Sequence, residues 1–289
     1  MKIITKVNTL REEIHHHKQS GGTIGFVPTM GYLHDGHLSL IKEARNNNDI
    51  VVMSIFVNPL QFGPNEDFDR YPRNIERDLK LAENADVDIL FMPDSEEMYP
   101  GTLSVAMNVK ERVHVLCGKK REGHFDGVVT VLTKLFHLVQ PRRAYFGLKD
   151  AQQVAVVEGL VDDYFFPVEI VRVRTVREED GLAKSSRNVY LSEEERNEAP
   201  AIYESLRGAK KKIESGEVNT SAIISDVKEF IHNMTSGQVE YVEIFTFPEL
   251  TPFHEWNGEI ILAIAVQFQK ARLIDNIIIS LDKKENQHV

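Results

Sequence analysis

The chain has 289 residues, of which 42% are hydrophobic and 27% charged, a composition that is typical of globular proteins and excludes collagen, coiled-coil and disordered classes. Its 44 acidic residues outnumber the 34 basic ones, and the net charge of -10 disfavours binding to a nucleic-acid backbone while leaving room for a local anion pocket. Apolar runs stay below the roughly 18 residues of a membrane span and the start lacks a signal-peptide pattern, so we expect a cytoplasmic protein. The single cysteine, Cys117, is expected to be a small buried residue.

Short apolar runs alternate with amphipathic helical patterns over the first 176 residues. The alternation of strand, helix and strand predicts a doubly wound parallel sheet in an α/β fold. Predicted strands lie at 24–27, 50–57, 87–92, 144–146 and 168–173. Predicted helices lie at 38–46, 128–139 and 152–161.

The pattern changes after residue 176. A first C-terminal helix is expected to start at the capping box of Ser192 and to continue through Ile213, and a second helix is expected at 222–234. Three strand-like runs follow with no helix between the last two, which predicts an antiparallel sheet. These runs lie at 239–247, 259–268 and 272–280.

These patterns predict two domains. Residues 1–176 would form the domain with the parallel sheet, and residues 177–289 a smaller α+β domain. The polar segment at about 177–188 would be the hinge between them.

The first candidate site is the stretch 28–37, between a predicted strand and a helix. In an open α/β sheet, ligands bind outside the carboxyl ends of the strands. Gly31 and Gly36 allow close approach of backbone to a ligand, and the helix start offers free N–H groups to a phosphate. His34 and His37, three residues apart, can point to one side and donate hydrogen bonds to a phosphate. A capping role or a zinc pair would be the alternatives, but the order of strand, glycines, histidines and helix favours phosphate.

A second polar cluster follows the strand predicted at 50–57. Asn58 and Gln61 bring neutral amides to the same rim, and amides suit recognition of hydroxyl and carboxylate groups without proton exchange. Ordinary turn chemistry explains this stretch equally well. A third cluster, at 121–127, places Arg121 and glycines at a helix start.

Two further clusters carry cations. Lys149 follows the fourth predicted strand and can neutralise a phosphate, while Asp150 can accept a hydrogen bond from a ribose or an amine. The segment 184–187 holds Lys184 and Arg187 around two serines, is too polar to be core, and is predicted to be a mobile phosphate lid. Each cluster taken alone is also explained as a solvated charge or a helix cap.

Five stretches taken together resemble the pantothenate synthetase (pantoate–β-alanine ligase) family. They are PTMGYLHDGH, SIFVNPLQF, GHFDGVVTVLTKLF, YFGLKDAQQ and DGLAKSSRNVYLS. The likeness runs in order from Ile24 to Leu191 and returns at 272–276. The tetrapeptide 34–37 is similar to the HIGH signature of nucleotidylyltransferases and class I aminoacyl-tRNA synthetases, and 184–187 looks like the counterpart of their second basic motif. The resemblance therefore implies a Rossmann-like fold of that superfamily.

The resemblance also implies a reaction. Members of the family are AMP-forming ligases that condense (R)-pantoate with β-alanine to pantothenate, on the route to coenzyme A, through a pantoyl adenylate and with release of pyrophosphate. ATP would be a substrate, and Mg2+ would be held mainly by the nucleotide phosphates. Partners would be these small molecules and a second copy of the chain in a homodimer, with neither nucleic acid nor membrane.

By resemblance, the site residues follow from the matching motifs. Catalytic residues would be His37, His34 and Lys149, with Gln61 and Gln153 binding pantoate and Gln61 also binding β-alanine. The ATP site would consist of Met30, Gly31, Tyr32, Leu33, His34, Asp35, Gly36, His37, Gly147, Leu148, Lys149, Asp150, Val176, Lys184, Ser185, Ser186 and Arg187.

The sequence departs from the family pattern at two places. Arg77 stands where some relatives carry a second acidic residue, and 266–271 lacks a usual glycine and threonine, which is expected to affect the C-terminal domain and not the chemistry.

An adenylyltransferase acting on a phosphate-bearing substrate would share the histidines but should carry more cations where Asn58, Gln61 and Gln153 stand. A catalytically silent nucleotide-binding regulator would bind ATP without forming AMP.

Overall fold

The computed structural model describes residues 1–64, 66–252 and 256–281. Within these ranges the chain forms two β-sheets with helices packed against them. The strands are β1 (Lys2–Ile4), β2 (Ile24–Thr29), β3 (Ile50–Ile55), β4 (Ile89–Phe91), β5 (Arg143–Gly147), β6 (Glu169–Val173), β7 (Gln238–Thr246), β8 (Gly258–Gln267) and β9 (Arg272–Leu281). The α-helices are α1 (Val7–Gln19), α2 (Asp35–Asn47), α3 (Ile75–Asn84), α4 (Ser95–Met98), α5 (His124–Val139), α6 (Ala151–Asp163), α7 (Glu193–Glu198), α8 (Ala201–Glu214) and α9 (Thr220–Met234). Short 3-10 helices cover Pro59–Gln61, Gly118–Lys120, Leu148–Asp150 and Ser186–Tyr190.

The first sheet contains six parallel strands in the order β1-β4-β3-β2-β5-β6. The predicted doubly wound parallel sheet is confirmed. From β2 the chain first builds outward through β3 and β4, and then returns to the other side of β2 to add β5 and β6. The carboxyl ends of β2 and β5 therefore flank the switch point, where open α/β sheets bind their ligands.

Alternate side chains of the central strands pack into two hydrophobic cores, one on each face of the sheet. Phe26 and Val52 face α1, α5 and α6, whereas Val27 and Met53 face α2 and α3. These four side chains are fully buried. Burial on both faces explains why the strands appear in the sequence as continuous apolar runs and not as alternating ones.

The second sheet is antiparallel, in the order β7-β8-β9, as predicted. Helices α8 and α9 cover one of its faces and complete a separate apolar core. On the other face, Ile261 and Ala263 pack with Ala151 and Ala155 of α6. The C-terminal sheet is thus packed directly on the helix that follows β5.

The helix expected to run from Ser192 through Ile213 is interrupted, and that prediction was wrong. The capping box is present, since the Ser192 hydroxyl accepts from the Glu195 N–H at 3.2 Å and the Glu195 carboxylate accepts from the Ser192 N–H at 2.8 Å. However, α7 ends at Glu198 and α8 begins at Ala201. Pro200 explains the break, because proline has no N–H to continue the helical ladder.

The other predicted strands and helices are present with ends shifted by a few residues, and α5 begins at His124 instead of at 128. The cysteine, Cys117, is buried as predicted. Strand β1 and the helices α3 and α4 were not predicted, because they are short or mainly polar. Among the described residues, no helix is long and apolar enough to cross a membrane.

Candidate active site

The loop between β2 and α2 is held by one buried carboxylate. Asp78, in the first turn of α3, accepts hydrogen bonds from the N–H groups of Tyr32 at 2.7 Å and of Leu33 at 2.8 Å, and is only 2% exposed. Gly31 has a φ of +83°, and a Cβ there would lie 2.9 Å from the Ile55 side chain. The loop can therefore take this path only with glycine at 31 and an acceptor at 78. Sequence reasoning did not identify Asp78 as part of the site.

The two histidines of this loop lie side by side, with ring centroids 4.0 Å apart. The Gly36 N–H donates to His34 Nδ1 at 3.1 Å, and the His34 N–H donates to His37 Nδ1 at 3.3 Å. Because a backbone N–H can only donate, both Nδ1 atoms must be unprotonated. Each neutral ring therefore carries its hydrogen on Nε2.

Burial keeps both rings neutral. It lowers the pKa of His34 from 6.5 to about 4, with the Lys149 cation adding to the effect. It also lowers the pKa of His37 well below the usual value, helped by His34 and Lys149. At pH 7 the site thus offers two imidazole N–H donors and no imidazolium charge.

A second loop approaches from the end of β5. The Lys149 side chain is largely buried, with Nζ 3.6 Å from the Asp150 carboxylate. The Asn276 side chain in β9 donates to the carbonyl oxygens of Leu148 and Lys149, at 2.9 Å each. The C-terminal sheet therefore holds the loop that carries Lys149. Asn276 lies in the stretch 272–276 that resembled the family, but its contact with this loop was not foreseen.

The segment 184–187 contacts the loops that follow β2 and β3. Lys184 Nζ lies 2.7 Å from the Asp35 carboxylate and 2.6 Å from that of Glu178. Arg187 forms a bidentate pair with Asp67, in which Nε and Nη2 each donate to one carboxylate oxygen at 3.0 Å. Hydrogen bonds to the two carboxylates raise the pKa of Lys184. Lys184 and Arg187, the two cations predicted to bind phosphate, are thus paired with carboxylates in this structure.

The expectation that this whole segment is too polar to be core was wrong at one position. Ser186 is 7% exposed. Its hydroxyl donates to the Tyr32 carbonyl oxygen at 3.4 Å, which allows a polar side chain to be buried there.

The amide cluster predicted after β3 lies on the opposite flank of β2 from Lys149. Gln61 is buried, and its Nε2 lies 3.0 Å from the sulfur of Met30. Asn58 is also buried and donates to Gln61 Oε1 at 3.2 Å. Gln153, in α6, lines the same cleft.

His124 and Arg121 form a chain of contacts that leads to this amide cluster. Arg121 pairs through two nitrogens with Glu66 and donates to His124 Nε2 at 2.9 Å. His124 Nδ1 donates to the Gln61 carbonyl oxygen at 2.7 Å. Burial and the adjacent Arg121 cation lower the pKa of His124 to about 4. His124 is therefore neutral, with its hydrogen on Nδ1.

A cleft of about 230 Å3 lies at the switch point, between these loops. The predicted site residues that line it are Met30, His34, Gly36, His37, Gln61, Gly147, Lys149, Asp150, Gln153, Val176, Lys184, Ser185, Ser186 and Arg187. The predicted residues that are outside its lining are Gly31, Tyr32, Leu33, Asp35 and Leu148. Leu33 is fully buried in the core. A second cavity of about 510 Å3 adjoins the cleft, sharing residues such as Arg121 and Gln153 with it, and reaches the C-terminal sheet.

The fold and cleft define an α/β protein with a polar cleft at the switch point of a parallel sheet, where proteins of this class bind their ligands. A family model described as Pantoate-beta-alanine ligase matches residues 2–278. The chain belongs to this family, and the predicted ligase class is confirmed.

Relatives of known sequence and structure agree with this membership. Pantothenate synthetase of Geobacillus sp. (strain WCH70) is 60% identical over 281 residues, which cover 97% of this chain and 100% of the relative. That of Bacillus subtilis (strain 168) is 60% identical over 285 residues, covering 99% of each chain. The structure of pantothenate synthetase from Thermus thermophilus has a TM-score of 0.90 at 46% identity, covering 96% of this chain and 99% of that chain. Pantoate-beta-alanine ligase from Francisella tularensis, complexed with beta-gamma ATP and β-alanine, has a TM-score of 0.79 at 35% identity, covering 96% of this chain and 97% of that chain.

Proposed function

We propose that the cleft at the switch point joins (R)-pantoate to β-alanine in two steps, through a pantoyl adenylate. An amine cannot displace oxygen from a carboxylate at neutral pH, so the acid must first be activated, and adenylation supplies an activated acyl group. One observation carries the proposal: the amides of Gln61 and Gln153 line the same cleft as His34, His37 and Lys149. Groups suited to an acid and groups suited to a phosphate therefore share one space.

In the first step, a pantoate carboxylate oxygen attacks the α-phosphorus of ATP, and the bond from that phosphorus to the bridging oxygen breaks to release pyrophosphate. Negative charge shifts onto the phosphate oxygens during this displacement. The Nε2–H groups of His34 and His37 and the Lys149 ammonium would donate to those oxygens. No proton is transferred in this step, which agrees with imidazoles that stay neutral.

In the second step, the amine nitrogen of β-alanine attacks the carbonyl carbon of the adenylate. The bond between that carbon and the phosphate oxygen breaks, AMP leaves, and the proton lost by the attacking nitrogen passes to a phosphate oxygen of the departing AMP. Gln61 would contact both pantoate and β-alanine, and Gln153 would contact pantoate. The packed C-terminal sheet would keep water from the reactive anhydride.

ATP would lie along both loops of the switch point. Its contacts would be Met30, Gly31, Tyr32, His34, Asp35, Gly36, His37, Gly147, Leu148, Lys149, Asp150 and Val176, whereas Leu33 is fully buried in the core and would support the loop from behind. Lys184, Ser185, Ser186 and Arg187 would close over the phosphates, which would replace the carboxylates of Asp35, Glu178 and Asp67 as partners of the two cations.

Magnesium would be held mainly by the nucleotide phosphates. No group of three or more histidine, cysteine, aspartate or glutamate side chains in that part of the chain is arranged to hold a metal ion. Asp78, next to the atypical Arg77, already accepts two backbone N–H groups.

The remaining features of the proposal concern the whole molecule. The domains would comprise 1–176 and 177–289, with the hinge at about 177–188. The enzyme would act as a cytoplasmic homodimer on small molecules alone. Family membership supports the small-molecule substrates, and the net charge of -10 disfavours a nucleic-acid partner.

A pair of assays tests the function. Pantoate-dependent exchange of labelled pyrophosphate into ATP, without β-alanine, is expected because adenylation is reversible. Release of AMP should then require β-alanine for sustained turnover. Exchange that needs a phosphate-bearing acceptor instead of pantoate would indicate an adenylyltransferase, and ATP binding without exchange would indicate a regulator.

A further inference from the structure

Asn58 is fixed by two backbone groups whose hydrogen-bonding roles cannot reverse. It is 1% exposed and lies between the end of β3 and the start of α5. The Leu60 N–H donates to Asn58 Oδ1 at 3.3 Å, and the Gly127 carbonyl oxygen accepts from Nδ2 at 3.0 Å. A backbone N–H can only donate and a carbonyl can only accept, so the orientation of the Asn58 amide follows from chemistry.

The Asn58 orientation determines which end of the Gln61 amide is available. Asn58 Nδ2 also faces Gln61 Oε1, at 3.2 Å, so this oxygen is engaged as an acceptor. Gln61 Nε2 lies on the cleft side, 3.0 Å from the weakly accepting sulfur of Met30. Gln61 therefore meets a ligand in the cleft through N–H donors.

Tyr99 makes the shortest of the hydrogen bonds to the Asn58 side chain. Its hydroxyl lies 2.8 Å from Asn58 Oδ1, the atom that already accepts from Leu60. Since that oxygen has no hydrogen, the tyrosine must be the donor, and burial, which raises the pKa of Tyr99, keeps its hydroxyl protonated.

The Tyr99 ring is held independently of its hydroxyl. Its centroid lies 4.7 Å from Lys134 Nζ and 6.2 Å from the Phe56 ring. Lys134 is fixed in turn by donating to the Met98 carbonyl oxygen at 2.6 Å. Phenylalanine at position 99 would keep these contacts and lose only the hydrogen bond to Asn58.

We propose that Tyr99 is a positioning residue that acts through Asn58, orienting the Gln61 amide so that it donates to a carboxylate or hydroxyl oxygen of the acyl substrate. The inference rests on the proposed contact between Gln61 and pantoate. It adds a residue outside the cleft lining to the recognition of that substrate, and it assigns the direction of the hydrogen bond.

The first test is Tyr99→Phe. The KM for pantoate should rise about threefold to tenfold, as expected for one lost neutral hydrogen bond, while the KM for ATP and the kcat at saturating pantoate change less than about twofold. Tyr164→Phe, which alters an exposed tyrosine at the end of α6, is the control and should leave all three constants unchanged. Thermal unfolding of both variants checks that the fold is retained.

The second test places Tyr99→Phe in a Gln61→Ala background. If Tyr99 acts through the Gln61 amide, the second substitution should not raise the KM for pantoate further. Gln61→Glu tests the direction of the bond independently, because a carboxylate offers acceptors only. It should weaken pantoate binding more than Gln61→Ala does.

The outcomes separate this inference from the proposed function. A wild-type enzyme that forms no AMP with pantoate would contradict both the proposed function and the positioning role of Tyr99. An active wild type with an unchanged Tyr99→Phe variant, equal increases in the two KM values, or an undiminished effect in the Gln61→Ala background would each overturn the positioning role alone. A Gln61→Glu variant that binds pantoate as well as the wild type would overturn the donor assignment.

Discussion

At the scale of single residues, the backbone determines the chemistry of the two histidines. His34 and His37 receive backbone N–H groups on Nδ1, so their hydrogens lie on Nε2, and burial keeps both rings uncharged. The three-residue spacing predicted that the rings could point to one side. It could not predict the tautomer or the lowered pKa values, since both depend on the folded loop and on Lys149.

Replacement of the histidines should reduce turnover. We expect His37→Ala to lower kcat by about 10²- to 10³-fold, and His34→Ala to lower it less, because each removes a donor to charge that develops at phosphorus. Steady-state AMP release measures the effect. His17→Ala, on α1, is the control and should match the wild type. Normal turnover in both site variants would remove these rings from the mechanism.

The lowered pKa of His34 also predicts a pH dependence of stability. Between about pH 6.5 and pH 4 the unfolded chain would bind a proton at this histidine while the folded chain would not. The contribution of neutral His34 to the free energy of unfolding is therefore fully present above pH 6.5. It is lost as the pH falls, by about 3 kcal/mol at pH 4. Urea unfolding of wild type and His34→Gln at several pH values should show the shallower dependence in the variant. An NMR titration of His34 with a midpoint near 6.5 would contradict this.

At the scale of secondary-structure elements, the site depends on contacts that join separate parts of the chain. The start of α3 supplies Asp78 to the loop after β2, and β9 supplies Asn276 to the loop after β5. The apolar runs predicted most strands, because buried parallel strands are apolar on both faces. The role of Asp78 was not predicted, because its partners are backbone N–H groups. Nearly every residue has such a group, so no sequence pattern marks them. Asn276 was in a recognised motif, but only the tertiary approach of β9 to β5 assigns its contact.

Asp78→Asn should destabilise the fold. An amide offers one acceptor oxygen where the carboxylate offers two, so one of the N–H groups of Tyr32 and Leu33 loses its partner. We expect the free energy of unfolding to fall by about 1–3 kcal/mol in urea denaturation. Asp226→Asn is the matched control, because it breaks only an exposed pair with Lys212 and should cost less than about 1 kcal/mol. Equal effects in the two variants would mean that Asp78 does not hold the loop.

At the scale of the whole molecule, ion pairs attach the polar link at 177–188 to both parts of the chain, to β9 through Arg177 and to the loop after β3 through Arg187. Arg177 pairs with Asp275 at 2.6 and 3.0 Å, and Arg187 pairs with Asp67. The composition predicted a polar link at 177–188, and the structure shows this link docked with its cations paired to carboxylates. The pairing partners lie far away in the sequence, so no local pattern could identify them.

The double variant Lys184→Ala with Arg187→Ala tests the lid. It should slow pantoyl adenylate formation by roughly tenfold or more, because two charged hydrogen bonds to the phosphates are lost. Aminolysis of supplied pantoyl adenylate should be spared, since no pyrophosphate remains to be held. Rapid-quench measurement of each half-reaction separates the two, with Lys212→Ala as a surface control. Equal loss in both half-reactions would show that the segment organises the whole cleft.

The two hydrogen bonds from Asn276 mean that the C-terminal sheet is mechanically linked to Lys149. They join β9 to the carbonyl oxygens of the loop that carries this lysine. A swing of the C-terminal sheet away from the first sheet must either break both bonds or pull the loop with it. Separation of the sheets would therefore also displace the Lys149 loop, so that opening of the cleft and loss of the proposed lysine–phosphate contact would be one movement.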